Sequence, residues 1–142
     1  MVSSAYSSGK EKQIEPNPYT RLVELCQRLG AGTLLGQVDW TAEDDTAFIT
    51  KRRAGAVAIR SRDRDGDPPY ELSIYGPRGA TVETLLSEWT VDEEPAFWNT
   101  GLADLYRTAR RQALGVDRIL DDLFAELPPV EPHSIELIGS PR

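Results

Sequence analysis

The sequence predicts an α+β fold: an N-terminal helix, a three- to four-stranded antiparallel meander, and one long C-terminal amphipathic helix packed on the sheet. Three observations carry that reading. Apolar residues recur at helical spacing near the start, alternate through the middle, and return to steps of three and four from Trp98 to Leu127. The chain has 142 residues, the size of one domain, and a fold of that size buries roughly two-thirds of the surface its unfolded chain exposes. The expected division is a disordered polar arm over residues 1–16, a single α+β domain over 17–127 and a Pro-rich tail over 128–142.

The first helix is marked at both ends. Asn17 suits its cap, and Pro18 suits the first helical position, where a missing N–H costs nothing. Tyr19, Leu22, Val23, Cys26 and Leu29 line one face, and Gly30 is the expected stop, with Gly32 just beyond. Residues 33–40 alternate, placing Leu34, Val38 and Trp40 on one side of a strand, and the acidic run Thr41–Asp45 reads as the turn that ends it. Thr46–Arg52 and Ala56–Arg62 read as two strands joined around Ala54 and Gly55. Asp65-Gly66 and Pro68-Pro69 break the chain before a further strand, Tyr70–Tyr75, whose Tyr70, Leu72 and Ile74 share a face.

Gly76–Gly79 is a turn. Beyond it, Val82, Leu85, Leu86 and Trp89 fall at helical intervals, so residues 81–89 are expected to form a short helix. The last helix carries the strongest period. Asp92, Glu93 and Glu94 stand near its positive end, and Pro95 suits its first turn. Trp98, Leu102, Leu105, Ala109, Ala113, Val116, Leu120, Leu123 and Leu127 then form one stripe, widened by Ile119 and Phe124, until Pro128 and Pro129 stop it. Gly115 is the expected place for a kink. Unbroken, such a helix spans roughly 50 Å, longer than a globule of this size needs, so part of the stripe is expected to overhang the sheet. A homodimer is the simplest way to cover it.

Charge restricts the partners. The chain holds 16 Lys and Arg against 23 Asp and Glu, a net charge of −7. Such a domain repels polyanions on average, which disfavours nucleic acid and anionic membrane. No run approaches the ~18 apolar residues of a membrane span. The opening residues have no apolar core, so no signal peptide is expected. Cys26 is the single cysteine, which fits a reducing, cytoplasmic setting and permits no internal disulfide.

Two basic clusters stand out against this background. Lys51, Arg52, Arg53, Arg60, Arg62 and Arg64 fall within a stretch whose one acid is Asp63. They predict an anion- or nucleic-acid-binding β-ribbon if they share a surface, and a solvated, ion-paired sheet face if they do not. Arg107, Arg110 and Arg111 sit together on the long helix as a candidate partner-binding patch, with Asp104 placed to pair with Arg107. Whether the two clusters form one surface is left open by the sequence.

Asp63-Arg64-Asp65-Gly66-Asp67 resembles part of a calcium loop, but its glycine and its next glutamate, Glu71, fall at the wrong positions, so a hairpin loop is the better reading. His133, the single histidine, lies in the Pro-rich tail, a poor place for a catalytic base. Trp40, Trp89 and Trp98 each fall on an apolar stripe and are expected in the core. No spacing for zinc ligands, phosphate loops or a nucleophile elbow is present, so no cofactor, metal or catalytic residue is expected.

The sequence thus points to a non-catalytic protein-interaction module, of the kind used by small adaptors, chaperone-like dimers and inhibitor or accessory subunits, acting on a larger protein. A nucleic-acid-binding accessory protein is the alternative, and an enzyme with a dispersed site comes last.

Overall fold

The computed structural model describes residues 18–89, 92 and 94–130. The expected arm over 1–16, the Asn17 cap, Glu93, His133 and the tail beyond residue 130 lie outside the described residues.

Helix α1 spans Pro18–Leu34 and buries Cys26, Leu29, Gly32 and Thr33. It runs through the expected stop at Gly30. Each glycine weakens a helix interior by about 1 kcal/mol, and packing beyond Gly30 offsets that cost. The Thr33 hydroxyl donates to the Leu29 carbonyl at 2.6 Å and accepts the Trp40 indole N–H at 2.9 Å. Residues 33–40 are therefore the end of a helix and a loop, not a strand. The loop is pinned where the Gln37 and Val38 N–H groups share the Gly32 carbonyl, at 2.8 and 3.2 Å. Val38 and Trp40 are buried as expected, whereas Leu34 is 80% exposed.

Five strands follow: β1 (Thr41–Asp44), β2 (Ala47–Arg52), β3 (Gly55–Ser61), β4 (Tyr70–Tyr75) and β5 (Thr81–Leu86). They pair antiparallel in chain order, β1-β2-β3-β4-β5. The meander thus has five strands where three or four were expected, because two segments read otherwise in the sequence join its edges. The acidic run taken for a turn is mostly β1, paired to β2 through Ala42↔Phe48. The segment read as a helix over 81–89 is instead β5, held by Leu72↔Leu85 and Ser73↔Thr84. At the β2–β3 turn Arg52 faces Gly55, and there a side chain is barred: a Cβ on Gly55 would lie 2.1 Å from the Tyr75 carbonyl oxygen.

The register separates two faces. Phe48, Ile59, Leu72 and Leu85 form a cross-strand row, and all four are buried in the core with Cys26, Leu29, Trp40, Leu102, Leu105, Tyr106 and Ala109. Helix α2 covers this face, and α1 packs along α2 with Cys26 and Leu29 in the same core. Tyr106 stacks on Tyr70 with ring centroids 4.4 Å apart and meets Phe48 edge-on at 5.6 Å.

The expected long helix is two helices. Helix α2 spans Asn99–Ala113 and buries Leu102, Leu105, Tyr106 and Ala109. Helix α3 spans Val116–Glu126 and buries none of its residues. Between them Gly115 adopts a left-handed conformation, φ 65° and ψ 36°, which a Cβ disfavours. Asp117 accepts a hydrogen bond from Arg111 across the break.

Two side-chain contacts set the position of α2. The Trp98 indole donates to the Leu86 carbonyl at 2.7 Å, and the Gln112 side-chain oxygen accepts the Trp40 backbone N–H at 2.5 Å. One end is tied to β5 and the other to the loop after α1.

Candidate interaction surface

The basic residues predicted to form a ribbon are divided by the fold. Lys51, Arg52 and Arg53 lie at the β2–β3 turn, while Arg62 and Arg64 lie beyond the opposite end of β3. The intervening strand separates the two groups by roughly 20 Å at 3.3 Å per residue. Arg62 is held by Asp63 at 3.0 Å. Arg60 lies across the sheet face that carries no described helix. It donates to Ser73 Oγ at 3.1 Å and to the Tyr75 hydroxyl at 3.4 Å, with Glu43 and Glu71 at 3.4 and 3.6 Å. Burial works against its charge, but the Tyr75 hydroxyl and the two glutamates outweigh that and hold its pKa above the ordinary arginine value. Arg60 is thus a strut of the sheet rather than an open anion contact.

Lys51, Arg52 and Arg53 form no ion pair among the described residues. They border a shallow cavity of about 520 Å³ together with Ile49, Tyr75 and Glu43. Arg60, Arg62 and Arg64 gather separately around a smaller cavity of about 170 Å³, where Glu43 and Asp44 stand beside them. The loop over Asp63–Asp67 closes on itself through Asp65. Asp65 accepts the Asp67 N–H at 2.9 Å and the Ser61 hydroxyl at 3.0 Å, and those bonds lower its pKa below the usual carboxylate value. Among the described residues no group of acids, histidines and cysteines is arranged to hold a metal ion.

Arg107, Arg110 and Arg111 lie exposed on α2. Arg107 pairs with Asp104 one turn earlier, as expected, and Arg111 with Asp117 on α3. Arg110 makes no ion pair among the described residues. The Arg107 charge is felt at Tyr70 and the Arg110 charge at Tyr106, both on the core face of the sheet. Arg60, in contrast, lies on the other face.

Cys26 is buried and its thiol is pushed up to about 12 by desolvation, the opposite of what a nucleophile needs. Trp40 is buried and Trp98 is partly buried against the core, but Trp89 is 49% exposed, so one of the three expected core tryptophans faces outward.

The expected overhang of the apolar stripe lies on α3. Ile119, Leu120, Leu123, Phe124 and Leu127 are between 37% and 67% exposed, and Val116 begins the same stripe. At about 3.6 residues per turn, the first five in chain order fill one side of α3, and Leu127 follows at its extended C-cap. Asp117 and Asp121 border them on one edge, Asp122 and Glu126 on the other, and Arg118 sits at the back. The stripe was visible in the sequence. Its exposure follows from where the sheet ends.

Comparison of the chain with protein-family models, with curated proteins and with solved structures returns no match. No helix among the described residues is long and apolar enough to cross a membrane.

Proposed function

We propose that this protein is a non-catalytic interaction module in which α1, the sheet and α2 form a platform and α3 is the docking helix for a larger protein partner. The observation that carries the reading is α3 itself: an amphipathic helix with a continuous apolar stripe and no buried residue. Soluble domains leave a contiguous apolar patch exposed chiefly where something binds it. Covering these side chains would contribute roughly 1 to 2 kcal/mol each, enough over the stripe to drive association against its entropic cost. Helix-in-groove recognition uses apolar anchors at this spacing. A cytoplasmic setting goes with this reading, on the strength of a single cysteine that is buried as a thiol.

The test is a native pull-down with the tagged full chain beside the variant Ile119→Ser/Leu123→Ser/Phe124→Ser, half of each sample treated with nuclease. A stoichiometric, nuclease-resistant protein is expected with the wild type and not with the variant. Equal recovery by both would remove α3 from the account.

The nucleic-acid reading keeps one specific support, the cations Lys51, Arg52 and Arg53 around their cavity. It requires retardation of DNA or RNA at low salt that fades steeply as salt rises, and it falls if neither is retarded.

A further inference from the structure

The edges of the α3 stripe carry information about what it meets. Four carboxylates and one guanidinium decorate the helix, and the helical period puts the carboxylates in two rows, one on each side of the apolar residues. Docking the stripe brings both rows to the rim of the contact, where charge chooses the partner more than it sets the affinity. A second copy of α3 is a poor complement. Whether two such helices pair parallel or antiparallel, each edge sets carboxylates against carboxylates.

Two apolar grooves among the described residues offer another copy no continuous basic edge. The apolar groove between α1 and α2, floored by Val23, Cys26 and Leu34, has Asp104 on its rim. The groove between α1 and β5, floored by Leu22, Leu25 and Ile74, has Glu24 and Glu83 beside Arg21 and Arg28, and Glu24 already holds Arg28. An anionic membrane or a nucleic acid would be repelled by the same two rows. Pairing of α3 with α3 is therefore disfavoured by its borders.

We propose that α3 docks on a protein surface that is apolar along its centre and edged on both sides by lysine or arginine. This rests on the docking reading above and sharpens it to one class of partner. Asp117 and Asp121 meet one basic edge, and Asp122 and Glu126 meet the other. Arg111, paired to Asp117 from α2, holds that carboxylate at the start of the stripe.

The experiment uses the full chain and two synthetic amphipathic helices, one with a leucine stripe edged by lysine and a twin edged by glutamate. Affinities are measured by fluorescence anisotropy at low and high salt. The lysine helix is expected to bind roughly tenfold tighter or more than its twin. Its binding is expected to be lost in Ile119→Ser/Leu123→Ser/Phe124→Ser, a variant that replaces no buried residue. In Asp117→Asn/Asp121→Asn/Asp122→Asn/Glu126→Gln the preference for lysine and most of the salt dependence should disappear, with the stripe still able to bind.

If the serine variant binds the lysine helix as well as the wild type does, the attraction is only the overall negative charge and the proposal is overturned. Equal binding of the two helices overturns the basic edges while leaving α3 as a docking element. A chain that dimerises through the stripe, or that partitions onto phosphatidylcholine vesicles through it, overturns the proposed partner in favour of a second copy or a lipid surface. Binding that emerges only after deletion of residues 131–142 overturns it in favour of the chain's own segment. A monomer that binds neither helix, with or without those residues, removes both the partner and the docking reading.

Discussion

Helices α2 and α3 carry one continuous apolar stripe in the sequence and meet opposite fates in the fold. On α2 the stripe is the core: Leu102, Leu105 and Ala109 are at most 2% exposed. On α3 its continuation, no less apolar, is in solvent. Propensity does not separate them, and neither does amphipathicity. What separates them is the extent of the sheet. Five strands spaced about 4.8 Å apart make a surface roughly 20 Å wide. The 15 residues of α2 run about 22 Å and already use it. Gly115 then turns the chain, and α3 begins where no strand lies beneath it. Burial is thus a property of what a helix faces, and a stripe left without a face is the best guide to function that this protein offers.

The largest expected effect sharpens that contrast directly. Leu105→Ala empties a site under α2 and should cost about 2–5 kcal/mol of unfolding free energy. Leu123→Ala, the equivalent truncation on α3, should stay within about 0.5 kcal/mol of wild type. Urea denaturation of the two variants measures both. Similar losses at the two positions would erase the distinction between the helices.

A second test probes how closed the α1–α2 side is. The thiol of Cys26 has its pKa raised from 9.0 to about 12 by burial. A group whose folded pKa is raised contributes stability that is complete below its unfolded pKa and is lost as pH rises toward the folded one. Between pH 9.0 and about 12, the wild type should lose about 1.4 kcal/mol per pH unit from this group. Tyr70 and Tyr106 are shifted upward too, both chiefly by burial, so the comparison is with Cys26→Ala, whose alkaline loss should be shallower by that amount. Identical slopes would mean that Cys26 is open to solvent.

A smaller effect lies at the joint. Gly115→Ala places a Cβ on a left-handed residue and should cost about 1 kcal/mol, read by thermal denaturation. The strain would be relieved by a straighter path from α2 into α3, so circular dichroism should show helix content retained or slightly raised. No loss of stability would indicate that the break is not built on the left-handed glycine.

Much of the fold could be read from the residues. Strands β2, β3 and β4 fell where alternation put them, because each is central or nearly so and buries a full row. The edges were missed for one physical reason. Val82 on β5 is 62% exposed and all four residues of β1 are exposed, so neither strand shows the period that burial imposes. Each exists through backbone pairing with a neighbour remote from its own pattern. The acids Glu43 and Asp44 on β1 are charges of the sort that keep a sheet edge from pairing with another chain. They also made it resemble a turn.

The site was legible in part. The sequence showed the stripe and its excess length, and expected an overhang. It drew attention to Arg107, Arg110 and Arg111 because local clustering is visible in a chain. It did not single out Asp117 and Glu126, nor set Asp121 and Asp122 on the edges of the stripe, a role that depends on the stripe between them being bare. Nor could it show that β3 holds Arg60 apart from Lys51–Arg53, since adjacency along a hairpin does not distinguish its two ends or its two faces.

The most direct measurement is the unfolding free energy of Ile119→Ser/Leu123→Ser/Phe124→Ser against wild type, by urea denaturation of the free chain. Three large apolar side chains replaced by serine in a packed helix would cost several kcal/mol. On an exposed α3 the change is expected to be no more than about 1 kcal/mol, the sum of small helix-propensity terms. A loss of several kcal/mol would show that α3 packs on its own domain, and the docking helix would have to be given up.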